Sequence, residues 1–169
     1  MGLHHTDEAV KNFIEKIDSI NKPITFVFYG DHLPGIYWDT NNNTVLHQTD
    51  YFIYSNKYAR RHLGRRTYKQ YKMIAPTDFM SLVQKKTLTK TTPYSALLEM
   101  VLDELPVITT KAAAGSEEES DAAMISVDGE MIKYENLSSS QKELYNDYKL
   151  VQFDMTAGNN YLADMHFQE

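Results

Sequence analysis

An aspartate and a histidine stand side by side at Asp31-His32, directly after the uncharged run Ile24 to Tyr29 and Gly30. A carboxylate oxygen beside an imidazole nitrogen suits Zn²⁺ or Mn²⁺ better than Ca²⁺. Their place in the chain matters as much as their type. In open α/β sheets, ligands collect just beyond the carboxyl ends of the strands. Gly30 is expected to let the backbone turn sharply out of the strand, so that both side chains converge. Two ligands do not complete a site, since a zinc centre takes typically three or four protein groups. The residues alone leave a second reading open, in which Asp31 caps a local turn and His32 lies at the surface.

Other candidates lie close by in sequence. His47 precedes the next strand-like run and could reach the same pocket, or be a loop histidine near solvent. Trp38, the single tryptophan, follows the Asp-His pair in "GIYWDT" and either lines a substrate path or packs its own loop. Lys57 to Lys72 carries seven Lys or Arg, Arg60 and Arg61 among them, and no acid. Tyr58, Tyr68 and Tyr71 are interleaved. Such a segment attracts anionic head groups, or is a solvated connection. With a net charge of −6 over 169 residues, general nucleic-acid binding is not expected. Cysteine is absent, which excludes a disulfide framework and a thiol nucleophile.

The elements that must position these residues can be read from periodicity and caps. Val10, Phe13, Ile14 and Ile17 make one helical stripe, with Thr6 as expected N-cap and Asn21-Lys22-Pro23 as the stop. Ile24 to Tyr29, apolar on both faces, predicts a central strand of a parallel sheet. Asp50 to Ser55 predicts a second strand. "APTDFMSLVQKK" reads as a helix capped by Thr77. "TTPYSALLEMVLDELP" reads as a helix capped by Thr92, led by Pro93 and stopped by Pro106. Thr110 to Asp121 is rich in small residues and acids and reads as a mobile linker. Asp128-Gly129 signals a type I′ hairpin. "LSSSQKELYNDYKL" reads as a short helix capped by Ser138 or Ser139, and "VQFDMTAGNNYL" as a last strand and turn. No run approaches about 18 apolar residues, so no membrane span is expected. No signal peptide precedes the first helix, which leaves a cytoplasmic protein or an excised piece of something longer.

The segments "TDEAVKNFIEKI", "KPITFVFYGDHLPG" and "HQTDYFIYSN" resemble the C-terminal half of the sulfatase-like phosphoglycerol transferases, a family that includes the lipoteichoic acid synthases within the alkaline phosphatase superfamily. In that family a D-E-A-type helix precedes a strand ending in Y-G-D-H, and a later strand carries a T-P-F-x-I-Y-S-N-type motif. Asp50 stands here where the family commonly has Pro. "APTDFMSLVQ", "TPYSALLEMVLDELP" and "LYNDYKLVQFDMTAGNNY" resemble the family's tail more loosely, so the likeness covers nearly the whole chain.

The resemblance implies an α/β fold: a partial alkaline-phosphatase/sulfatase-like sheet, mostly parallel, with flanking helices, a C-terminal β-hairpin and a helix. Residues 1–110 would belong to the catalytic domain, 111–121 to a linker and 122–169 to the tail of the same domain. Asp31 and His32 would be metal ligands, for Mn²⁺ above Zn²⁺ or Mg²⁺. The family's acidic ligand and Thr nucleophile lie upstream of the D-E-A helix, and nothing in this chain matches them. The chain would then hold half a metal site, retain no metal and be inactive alone. The implied whole protein is membrane-anchored with an extracellular catalytic domain. It moves glycerol phosphate from phosphatidylglycerol to a glycopolymer acceptor through a Thr intermediate, with His47, Trp38, Arg60 and Arg61 as candidate substrate contacts. A hydrolase of the same superfamily (a sulfatase or phosphodiesterase) and a non-catalytic module for anionic polymer or lipid are the other readings. Sheet edges left open would favour self-association of the piece.

Overall fold

The computed structural model describes residues 2–31, 43–62, 73–87, 91–114 and 122–169. The chain opens on α1 (Gly2–Asp18), whose apolar stripe seats Ile17 at 5% exposure. The helix passes straight through Thr6, so Thr6 is not its N-cap. It ends at Asp18, before the Asn-Lys-Pro sequence. Next come β1 (Thr25–Tyr29), α2 (Asn43–Leu46), β2 (Tyr51–Ser55) and α3 (Lys57–His62).

β1 and β2 pair antiparallel, from Thr25 opposite Ser55 to Tyr29 opposite Tyr51. The expected parallel arrangement is not seen among the described residues. The reason lies in what covers the strands. α1 lies on one face, where the Phe13 ring meets Phe26 edge-on at 5.0 Å. The helix α4 (Phe79–Thr87) lies on the other, where Phe79 packs against Tyr29 at 4.8 Å and Tyr51 at 5.5 Å. A strand covered on both faces reads as uncharged whatever the direction of its neighbour.

A 3₁₀ turn at Pro76–Asp78 leads into α4. Its entry is held by the Asp78 carboxylate, which accepts the Ala75 N–H at 2.8 Å; Thr77 makes no cap. α5 (Pro93–Glu104) begins as read. The Ser95 N–H donates to Thr92 Oγ1 at 3.1 Å, and Pro93 needs no partner at the first position. Lys85 of α4 reaches Asp103 of α5 at 2.7 Å and Glu99 at 3.8 Å.

β3 (Val107–Thr110), α6 (Lys111–Ala114) and β4 (Ala122–Ile125) follow. The first residues of the expected linker are thus helical, and the strands on either side of 111–121 pair antiparallel from Val107–Ile125 to Thr110–Ala122. Residues 115–121 lie outside the described residues. Past β4 the chain turns at Ser126–Gly129 and returns to bridge Ile125 with Met131. Gly129 alone of this turn has positive φ (84°), so it is not type I′, which needs positive φ at two successive central residues.

A 3₁₀ turn at Tyr134–Asn136 precedes α7 (Ser139–Thr156), capped by Ser138, whose Oγ accepts from Gln141 N–H at 3.2 Å. The expected last strand is instead the end of α7, followed by α8 (Tyr161–Asp164). Apolar residues at 144, 148 and 151 continue the stripe without a break, so the helix runs on past Leu150. Val101 of α5 packs with Leu144 and Tyr148 of α7, and Leu97, Leu98 and Leu105 close round them.

Candidate functional site

The site is built where β1 ends. Gly30 is needed there for space and not for a left-handed turn: among the described glycines only Gly129 has positive φ. A Cβ at Gly30 would sit 2.5 Å from Thr49 Oγ1 and 3.1 Å from Thr49 Cβ. The segment entering β2 therefore crosses directly over the point where the chain leaves β1. Asp31 follows, exposed to solvent. His32 and Trp38 lie outside the described residues.

The antiparallel register decides which candidates share this end of the sheet. Tyr29 is opposite Tyr51, so Asp31 and the segment His47 to Asp50 emerge together. His47, exposed just after α2, is on the same end as Asp31. Arg60 and Arg61 are not. They follow β2, whose carboxyl end lies beside Thr25 at the start of β1. Five residues of strand separate the two ends, about 17 Å at the usual rise.

Arg60 is also engaged. Its Nη1 donates to the Ser55 carbonyl, its Nη2 lies 3.8 Å from Asp18 Oδ2, and its guanidinium stands 4.9 Å from the centre of the Tyr54 ring. Arg61 is exposed on α3. Among the described residues, no three His, Asp or Glu side chains gather as metal ligands would. The donor types at Asp31 suit a hard or borderline cation, but the described residues supply less than a full coordination shell.

The far end of the sheet holds residues that sequence reasoning missed. Asn56 has no exposed surface. Its Nδ2 donates to the carbonyls of Ile17 at 3.0 Å, Ile20 at 3.2 Å and Lys22 at 2.9 Å. Its Oδ1 accepts the N–H of Ile24 at 3.2 Å and of Ala59 at 2.9 Å. One amide thus binds the end of α1, the start of β1 and the first turn of α3. Its signal was present as the Asn of "IYSN", but no periodicity reveals a hydrogen-bond hub.

Asp18 stands beside it. Oδ1 accepts the Lys57 N–H at 2.8 Å and Oδ2 the Tyr54 hydroxyl at 2.9 Å, with Lys57 Nζ at 3.7 Å. Desolvation pushes this carboxyl upward. The Lys57 N–H, the Tyr54 hydroxyl and the charges of Arg60 and Lys57 outweigh it and hold the group below the usual range. Asp78 goes the other way: burial raises it, and the Ala75 N–H only partly opposes.

The sulfatase family model matches residues 2–83, the region from α1 through most of α4. The chain is similar to a solved structure, the Streptococcus pyogenes phosphoglycerol transferase GacH in complex with sn-glycerol-1-phosphate. Identity is 34%, the TM-score is 0.65, and the match covers 96% of this chain and 35% of that one. This chain therefore spans about a third of that protein's length. Comparison with the curated proteins finds no match.

Proposed function

The chain belongs to the sulfatase-like phosphoglycerol transferase family, and from that premise we propose that it works as the carboxyl-terminal part of a metal-dependent enzyme transferring a glycerol phosphate group. The observation that carries this reading is the match to a phosphoglycerol transferase along 96% of the chain at 34% identity. That relative's bound sn-glycerol-1-phosphate supports a glycerol phosphate substrate; in the proposed reaction phosphatidylglycerol is the donor and a glycopolymer hydroxyl the acceptor.

Asp31 and His32 would hold the metal, Mn²⁺ before Zn²⁺ or Mg²⁺. Such an ion, when bound, lowers the pKa of a hydroxyl nucleophile and neutralises charge on phosphoryl oxygens. This chain's own contribution is to fix the carboxylate at the end of β1. Asn56 anchors where the strand starts, and the contact of Thr49 with Gly30 fixes where it ends. The nucleophile is a Thr supplied from outside this chain. It takes the phosphoglycerol group, releases diacylglycerol and passes the group to the acceptor. The parent would sit in the cell membrane with this part outside; no helix among the described residues is long and apolar enough to cross a bilayer.

The test compares two proteins. The 169-residue chain alone is expected to leave a chromogenic phosphodiester intact with or without Mn²⁺. The longer protein is expected to turn over phosphatidylglycerol and to lose activity in Asp31→Ala. Mn²⁺-dependent hydrolysis by the 169-residue chain would overturn the division of the site. Turnover to water in place of an acceptor alcohol would move the assignment to a hydrolase of the same superfamily.

A further inference from the structure

The two lysines of α7 lie on one flank of the helix, and the acids of its middle turns on the other. Lys142, Tyr145, Asn146 and Lys149 recur at i, i+3, i+4 and i+7, so they form one stripe. Glu143 and Asp147, both exposed, share the opposite flank. Leu144 and Tyr148, between the flanks, pack with Val101 and so fix how α7 is turned. Asn146 and Lys149 are thereby held at the surface.

The 3₁₀ turn before α7 completes the stripe with Tyr134, which is 38% exposed. Its ring stands 5.9 Å from that of Tyr145, tilted by 50°, and its hydroxyl accepts from Asn146 Nδ2 at 3.1 Å. Lys142 Nζ lies 5.7 Å from the centre of the Tyr134 ring, and Lys149 Nζ 5.4 Å from that of Tyr145. Both distances are near the outer limit of a cation–π contact, about 6 Å, so the rings hold the ammonium groups loosely. Lys142 also donates to the Glu135 carbonyl at 2.8 Å, which uses one of the three N–H donors of an ammonium group. Among the described residues no carboxylate forms an ion pair with either lysine.

We infer that this stripe is a second binding site, which grips an anionic sugar-phosphate or polyol-phosphate chain on an element other than those that carry Asp31 and His47. The inference rests on the reading above, in which the acceptor is a glycopolymer, and adds where this chain holds such a polymer. The two lysines stand about 10 Å apart along the helix axis, and each can neutralise one phosphate of a repeating chain. The C–H edges of a sugar or glycerol unit carry a slight positive charge, which suits the negative faces of Tyr134 and Tyr145. Tyr145 is partly buried against the same core as Leu144, so half of the aromatic platform is set before a ligand arrives. Width decides among anions. A polymer one chain wide stays on the stripe, whereas a membrane surface or a nucleic-acid duplex would also meet Glu143 and Asp147.

The test titrates poly(glycerol phosphate), prepared by deacylating a lipoteichoic acid, into the 169-residue chain at low salt, followed by calorimetry and by the tyrosine ring resonances. Binding should be saturable, should weaken as salt is added, and should shift the rings of Tyr134 and Tyr145. Lys149→Gln, at an exposed position, should weaken it about fivefold, and Lys142→Gln with Lys149→Gln about twentyfold. Tyr134→Leu keeps every charge and should still weaken it about fivefold. Lys11→Gln, an exposed cation on α1, should leave it unchanged. The melting of Lys149→Gln should match that of the parent, which separates lost binding from lost folding. No binding at low salt, or binding that Lys149→Gln and Tyr134→Leu leave intact, overturns the proposal. So does tighter binding of poly(U) or of phosphatidylglycerol vesicles than of the polymer, which would make the occupant an RNA or a membrane. Binding is scored without metal or turnover. A chain that binds the polymer while the longer protein transfers no phosphoglycerol would sink the functional reading alone, and transfer by the longer protein with no polymer bound here would sink the site alone.

Discussion

The Asn56 amide joins three elements through side-chain hydrogen bonds to five backbone groups. Replacing it with Leu leaves buried carbonyls and N–H groups without partners, at a cost of about 3 kcal/mol. The melting temperature of Asn56→Leu should fall by roughly 6–12 °C, read by calorimetry. Asp18 gives a pH-dependent counterpart. Its folded-state pKa is depressed, so its stabilising contribution is present above the ordinary carboxylate value of 3.8 and is lost as pH falls through the folded value. Asp18→Asn should therefore be less stable than the parent near neutral pH. That gap should close in urea titrations as pH falls below the ordinary carboxylate value of 3.8 and through the folded value; a gap that stays constant across the acid range would refute the assignment. Asp78 has the opposite sign. Its raised pKa means that its carboxylate becomes a liability as pH rises above 3.8 toward the folded value.

Caps decide the helices, and they differ between the two that meet at Lys85. Thr92 holds a Ser95 N–H and caps α5, whereas Thr77 is exposed and caps nothing, its place being taken by Asp78 reaching back to Ala75. Thr92→Ala should cost about 1 kcal/mol and Thr77→Ala close to nothing, a contrast that chemical denaturation of the pair resolves. The β1–β2 pair shows how one element's direction reassigns chemistry. With the strands antiparallel, His47 comes to the Asp31 end, while Arg60 is carried to the other, where it joins Asp18 and Tyr54. If the chain works as part of the longer enzyme proposed above, Arg60→Ala is accordingly expected to lower thermal stability and leave the KM for substrate unchanged.

Across the whole molecule, packing runs from the sheet through α4 to α5 and on to α7. Phe79 rests on Tyr29 and Tyr51, Lys85 reaches Asp103, and Val101 meets Leu144 and Tyr148. β3 and β4 add a second tie across residues 111–121. Elements linked by contacts in this way should melt as one unit. Leu144→Ala, far from the sheet, should cost about 2–4 kcal/mol and shift a single transition, followed in parallel by the near-ultraviolet signal of the β1–β2 aromatics and by far-ultraviolet helicity. Two separated transitions would show that α7 and the sheet are independent.

The sequence by itself determined what depends on near neighbours. The Thr92-Pro93 start of α5 and the Ser138 cap of α7 need only residues within one turn, and the stripe Leu97 to Leu105 needs only the helical period. "YGDH" with its flanks carried the family and the pairing of Asp31 with His32. What the tertiary structure decided depends on residues far apart in the chain. An uncharged strand gives no sign of its partner's direction, so only the pairing of Tyr29 with Tyr51 put His47 at the Asp31 end of the sheet and Arg60 at the other. Gly30 looked like a turn residue; Thr49, packed over it, makes it a matter of space. Asn56 enters the sequence reading only as the last residue of "HQTDYFIYSN", and only folding brings to it the carbonyls of Ile17, Ile20 and Lys22, because a hydrogen bond is set by position in space and leaves no period in the sequence.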